Sequence, residues 1–90
     1  MKRLIKKAEK ELMEAGFNVV LPSGYLDLIA WDLNFFRLIK LAKTKNNLFP
    51  VNIAKRLSGI IVPPNCRREI WLCTKRKFVK YVIDSDERGL

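Results

Sequence analysis

The chain contains no histidine and no glutamine, has only two cysteines, and carries no acidic residue between Asp32 and Glu69. Without histidine it lacks the side chain that titrates nearest neutral pH, which excludes a histidine general base and any histidine-bearing zinc site. Cys66 and Cys73 fall short of a four-ligand zinc set by themselves and are read as reduced, structural thiols. Abundant lysine beside the missing His and Gln is a bias associated with thermophilic sources, where a disulfide between the two cysteines stays open. No apolar run reaches the roughly 18 to 20 residues that span a bilayer. The N-terminal segment alternates charged and apolar residues instead of forming a signal-peptide core, so a cytoplasmic location is expected.

What is present is a chain of 90 residues, nearly half of them apolar, enough for one domain over residues 1–90 and too hydrophobic for a disordered basic tail. Eighteen Lys and Arg against nine Asp and Glu leave a net charge of +9. That excess favours polyanionic partners, nucleic acid first, through charge neutralisation and counterion release. A surface charged for solubility is the competing explanation. The acid-free interval itself holds eight cations: Arg37, Lys40, Lys43, Lys45, Lys55, Arg56, Arg67 and Arg68.

Residues 2–15 have the stripe of an amphipathic helix, with Leu4, Ile5, Ala8, Leu12 and Ala15 on one side, and Gly16 ends it. Strand composition follows at 17–21, 25–31 and 35–43, joined by Pro22-Ser23-Gly24 and by Asp32-Leu33-Asn34, links short enough for an antiparallel meander. Lys45-Asn46-Asn47 breaks the pattern. Pro50 suits a first helical turn, Val51, Ile53, Ala54 and Leu57 give a second apolar face, and Gly59 closes that helix. Pro63-Pro64-Asn65 excludes a central strand, after which residues 69–74 and 78–83 form a last hairpin. Asp84-Ser85-Asp86-Glu87 reads as a polar, frayed end. The expected order is α-β-β-β-α-β-β.

In this order Ala15-Gly16-Phe17-Asn18-Val19-Val20, Asp27-Leu28-Ile29-Ala30-Trp31-Asp32 and the apolar strand Leu38-Ile39-Lys40-Leu41-Ala42 resemble the PD-(D/E)XK nuclease superfamily, most nearly the archaeal Holliday junction resolvase and RecB-like group. Pro63 to Trp71 is similar to the approach to that group's next core strand. The resemblance implies a restriction-endonuclease-like αβββαβ core of α/β (α+β) class, a mixed central sheet flanked by helices, and here an extra C-terminal strand. It also implies a site in which an acid on the second strand and Glu-x-Lys on the third converge, since residues two apart on a strand share a face. The two carboxylates would hold Mg²⁺ and the lysine would position the attacking water.

Asp27 matches the first acid, with Leu26 in place of proline. Lys40 stands at the second acid and Ala42 at the lysine, and shifting the register does not help because no acid is near. Lys43 is expected to point away from Asp27. Asp27 and Lys40 are therefore read either as a vestigial site, the ammonium filling the metal's place, or as an incidental ion pair on a half-exposed sheet. The resemblance extends a site role to Glu11 on the first helix, against the alternative that it balances lysine charge. Asp32 reads as a turn residue.

Three basic clusters stand out: Lys2 to Lys10; Lys40, Lys43 and Lys45 with Lys55 and Arg56; and Arg67, Arg68 with residues 75–80. The middle cluster, with Arg67 and Arg68, is expected to border the old active face and meet phosphates. The aromatics have strand periodicity, which favours core packing over base stacking. The first functional expectation is a DNA-binding, catalytically inactive nuclease-like protein without a cofactor, a homodimer or a heterodimer with a related nuclease. A Mg²⁺-dependent endonuclease completed by Glu11 or Glu69 is the second, and a protein-interaction or inhibitory subunit the third.

Overall fold

The computed structural model describes residues 2–44 and 48–83. The break at Lys45-Asn46-Asn47 and the acidic segment Asp84 to Glu87 lie outside the described residues. The elements are α1 (Lys2–Glu14), β1 (Asn18–Val20), β2 (Leu28–Trp31), β3 (Phe36–Lys43), α2 (Val51–Ser58), β4 (Cys66–Thr74) and β5 (Lys77–Ile83), the order expected. They form one five-stranded sheet in sequence order, with β3 and β4 parallel and every other neighbour antiparallel. The mixed sheet follows from the connections: a seven-residue loop joins β1 to β2 and a short turn joins β2 to β3, whereas the α2 crossover returns the chain in the same direction beside β3.

Local chemistry accounts for the boundaries. Gly16 takes φ +93°, while its N–H reaches the Met13 carbonyl and that of Phe17 reaches Leu12, a Schellman close of α1. The Asp32 carboxylate accepts the N–H groups of Asn34 and Phe35, fixing the β2–β3 turn as its composition implied. Pro50 stands just before α2 and accepts from the Ala54 N–H. Two strands begin three residues away from where the sequence suggested, the others within one. β2 starts at Leu28 rather than Tyr25, and β4 starts at Cys66 because parallel pairing with β3 runs from Phe36–Cys66 to Lys43–Cys73.

Alternation along the central strands divides the core. Ile39, Leu41 and Trp71 join Leu28 and Ala30 beneath Leu4, Ala8 and Leu12 of α1. Ala42, Ile70 and Leu72, one residue out of step, pack with Leu57 of α2. The helices thus cover opposite faces. Cys66 and Cys73 are free thiols; seven residues apart on β4, they lie on opposite faces at roughly 23 Å, beyond disulfide reach. Among the described residues no helix is long and apolar enough to cross a membrane.

Candidate functional site

The residues marked by the resemblance separate into two environments. Asp27 lies just before β2, where its N–H donates to the Ile39 carbonyl at 3.0 Å. Its Oδ2 accepts the Leu41 N–H at 2.7 Å and meets Lys40 Nζ at 3.4 Å. Because β2 begins only at Leu28, the carboxylate supplies the acceptor that the next residue of the ladder would have offered. Lys40 also lies 4.7 Å from the centre of the Tyr25 ring, whose other cation is Arg56 at 3.9 Å. Lys40 shares the α2 face with Ala42, and Lys43 alternates away from it, as the strand period requires.

Glu11 belongs to the other face. It pairs with Lys80 of β5 on the α1 side and cannot join Asp27, which corrects the placement implied by the resemblance. Glu69 cannot complete the site either. Its carboxylate, 1% exposed as a residue, receives Arg37 as a fork at 2.8 Å and 2.8 Å and the Trp71 indole N–H at 2.9 Å. The Arg37 guanidinium lies 4.9 Å from the Phe17 ring and 5.4 Å from that of Trp71, and Lys80 lies 4.5 Å from Trp71. Glu69, Arg37, Trp71 and Lys80 thereby link β3, β4 and β5 beneath α1. Nothing in the sequence pointed to this lock beyond the shared face of Glu69 and Trp71.

The Mg²⁺ implied by the resemblance does not fit these side chains. Among the described residues Asp27 is the single carboxylate on its face of the site, its Oδ2 is engaged by a peptide N–H and an ammonium, and a second cation flanks Tyr25. Among the described residues no three acidic or cysteine side chains converge. Hard divalent cations need oxygen ligands and are repelled by a neighbouring ammonium.

Of the middle basic cluster, Lys40 and Arg56 meet at the Tyr25 ring on the α2 side, while Lys43 alternates to the other face. Lys40 is held by Asp27, Lys55 and Arg56 are on α2, and Lys45 lies outside the described residues. Arg67 is exposed, 4.2 Å from the Phe35 ring. Arg68 is buried at 7% exposure, with Nη1 on the Ile60 carbonyl and Nε without a partner, so it is unavailable to phosphate in this arrangement and is removed from the expected interface.

A different basic site appears at one end of the sheet. A cleft of about 880 Å³ lies between the start of α1, the end of β3 and the β4–β5 turn. Lys2, Arg3, Lys7, Lys43, Lys75 and Arg76 line it, with Leu4, Thr44 and Cys73 and, among the described residues, no acid. The six cations come from all three clusters of the sequence, so only the tertiary fold brings them together. Lys7 is fixed by donating to the Arg76 carbonyl and by lying 5.5 Å from the Phe78 ring. Lys75 and Arg76 form the two-residue β4–β5 turn with φ of +48° and +68°, a conformation that favours Asn-Gly. Two long cationic side chains occupy it at a backbone cost of order 1–3 kcal/mol each.

No known family model matches the chain, and no curated protein matches it.

Proposed function

We propose that this chain binds nucleic acid through its phosphate backbone, held in the cleft between α1, the end of β3 and the β4–β5 turn, on a scaffold related to the PD-(D/E)XK nucleases, and that it does not cleave by the metal-dependent route. The observation that carries this reading is the cleft, where six cations meet with, among the described residues, no acid, and two of them occupy an unfavourable turn. Phosphate oxygens are the common anions that such a site neutralises, and releasing their counterions supplies sequence-independent affinity. The fold relationship is supported by the αβββαβ order and by Asp27 beside the third strand. The reading as a binder without cleavage is supported by Lys40 and Ala42 at the positions of acid and lysine.

The test combines binding and cutting in one assay, with labelled duplex and four-way junction DNA titrated at several NaCl concentrations, with and without Mg²⁺ or Mn²⁺. If all six cations engage, log K should fall with log[salt] at a slope of about −5, a loss of about 10³-fold between 50 and 200 mM. Lys43→Ala and Arg76→Ala should each flatten that slope by about 1. Absent or salt-insensitive binding overturns the binding site. Metal-dependent cleavage abolished by Asp27→Ala overturns the non-catalytic half.

A further inference from the structure

The short α2 leaves part of its own side of the sheet open. Beyond it, between β4 and β5, is a shallow cavity of about 410 Å³ lined by Leu72, Thr74, Lys75, Lys77, Val79 and Tyr81. Val79 is 39% exposed and Tyr81 37%, high values for side chains on the face that carries the Ile70 and Leu72 core. The Phe49 ring packs on Tyr81 at 4.9 Å and 74°, an edge-to-face contact that holds the tyrosine in place. Lys75, at the hairpin tip, lines both this cavity on the α2 face and the basic cleft on the α1 face.

We propose that this cavity receives an unpaired nucleobase on Tyr81, so that the protein prefers single-stranded or unpaired nucleic acid over duplex; the inference rests on the phosphate-binding reading of the cleft. Charge selects this occupant. A strand crossing the hairpin tip would place phosphates between Lys75 and Lys77 and in the cleft, while the base it exposes meets an apolar floor and an anchored aromatic ring. Within a duplex the same base is stacked and paired, and its flat face is not offered to a side chain. The stacked pair Trp31–Phe36, 6.1 Å apart at the opposite end of β3, lacks any link to the cleft and serves as an internal control.

The experiment compares three probes by fluorescence anisotropy: a 12-mer of thymidine, an abasic 12-mer of the same phosphate count, and a 12-base-pair duplex. The proteins are wild type, Tyr81→Leu, Tyr81→Phe and Phe36→Leu. The wild type should bind the thymidine strand about 10-fold or more tighter than the abasic strand, consistent with the stacking of one base. Tyr81→Leu should lose that advantage while keeping abasic and duplex affinity and the salt slope. Tyr81→Phe and Phe36→Leu should retain it. Equal binding of thymidine and abasic strands by the wild type, or an advantage that survives Tyr81→Leu, overturns the base site and leaves the phosphate cleft intact. Failure of all three probes to bind overturns the parent reading instead. Sedimentation of the same samples distinguishes a third result: a dimer dissociated by Tyr81→Leu shows that a second copy occupies this face and overturns the proposal.

Discussion

Of the ion pairs among the described residues, Arg37–Glu69 on the α1 side and Asp27–Lys40 on the α2 side have opposite characters. On the α1 side, Arg37 and Glu69 are joined by two hydrogen bonds, capped by the Trp71 indole and enclosed by aromatic rings, with side-chain exposures of 14% and 2%. On the α2 side, Asp27 and Lys40 meet through one 3.4 Å contact at 15% and 21% exposure. The difference lies in what surrounds the charges. The buried carboxylate has every strong partner it requires and is part of the packing. Asp27 is held chiefly by a peptide N–H, and its lysine is an addition. The weaker pair stands where the nuclease resemblance places chemistry, while the stronger one stands where the sequence marked little.

The largest way to break this contrast is Glu69→Ala, which strands the Arg37 guanidinium among aromatic rings. Urea unfolding should show a loss of about 3–5 kcal/mol. Loss below about 1 kcal/mol would mean that the α1-side pair is no more structural than the other. Asp27→Ala should cost less, about 1–3 kcal/mol, because the Leu41 N–H is left without its acceptor. Asp27→Asn, which keeps an acceptor, should recover most of that loss. Removal of Lys40 alone, as Lys40→Met, should change stability by under about 1 kcal/mol, since a partly exposed single contact is worth little. The contrast sharpens if the α2 side is rebuilt. Lys40→Glu with Ala42→Lys should bind Mg²⁺ and gain about 1 kcal/mol of stability at several times its Kd, where wild type gains none. No Mg²⁺-dependent stabilisation of that double variant indicates that the backbone geometry of a metal site is absent as well.

Much of the fold was legible because its signals are local. The stripe from Leu4 to Leu12, the stop at Gly16, the turn at Asp32 and the helix between Pro50 and Gly59 each rest on residues within a few positions of one another. The period of two on β3 also separated Lys40 from Lys43. The start of β4 at Cys66 was hidden, because parallel pairing with Phe36 is a contact across thirty residues and the preceding prolines argue for delay. Arg68 looked like a surface cation for a similar reason: its burial is created by Ile60 and β5, which meet it only in the folded chain. The cleft was illegible as a site though all its cations were noted, since α1, β3 and the last hairpin converge by topology alone. Glu11 was misplaced because helical position specifies a side of α1 and says nothing of which sheet face α1 will cover.

The β4–β5 turn has a consequence for anyone who redesigns this protein. Replacing Lys75-Arg76 by Asn-Gly relieves the left-handed backbone and is the change that a search for thermal robustness would select. It would also delete two of the six cations in the cleft, including the one shared with the cavity under Tyr81. Selection for a tougher molecule and selection for a useful one therefore pull this turn in opposite directions.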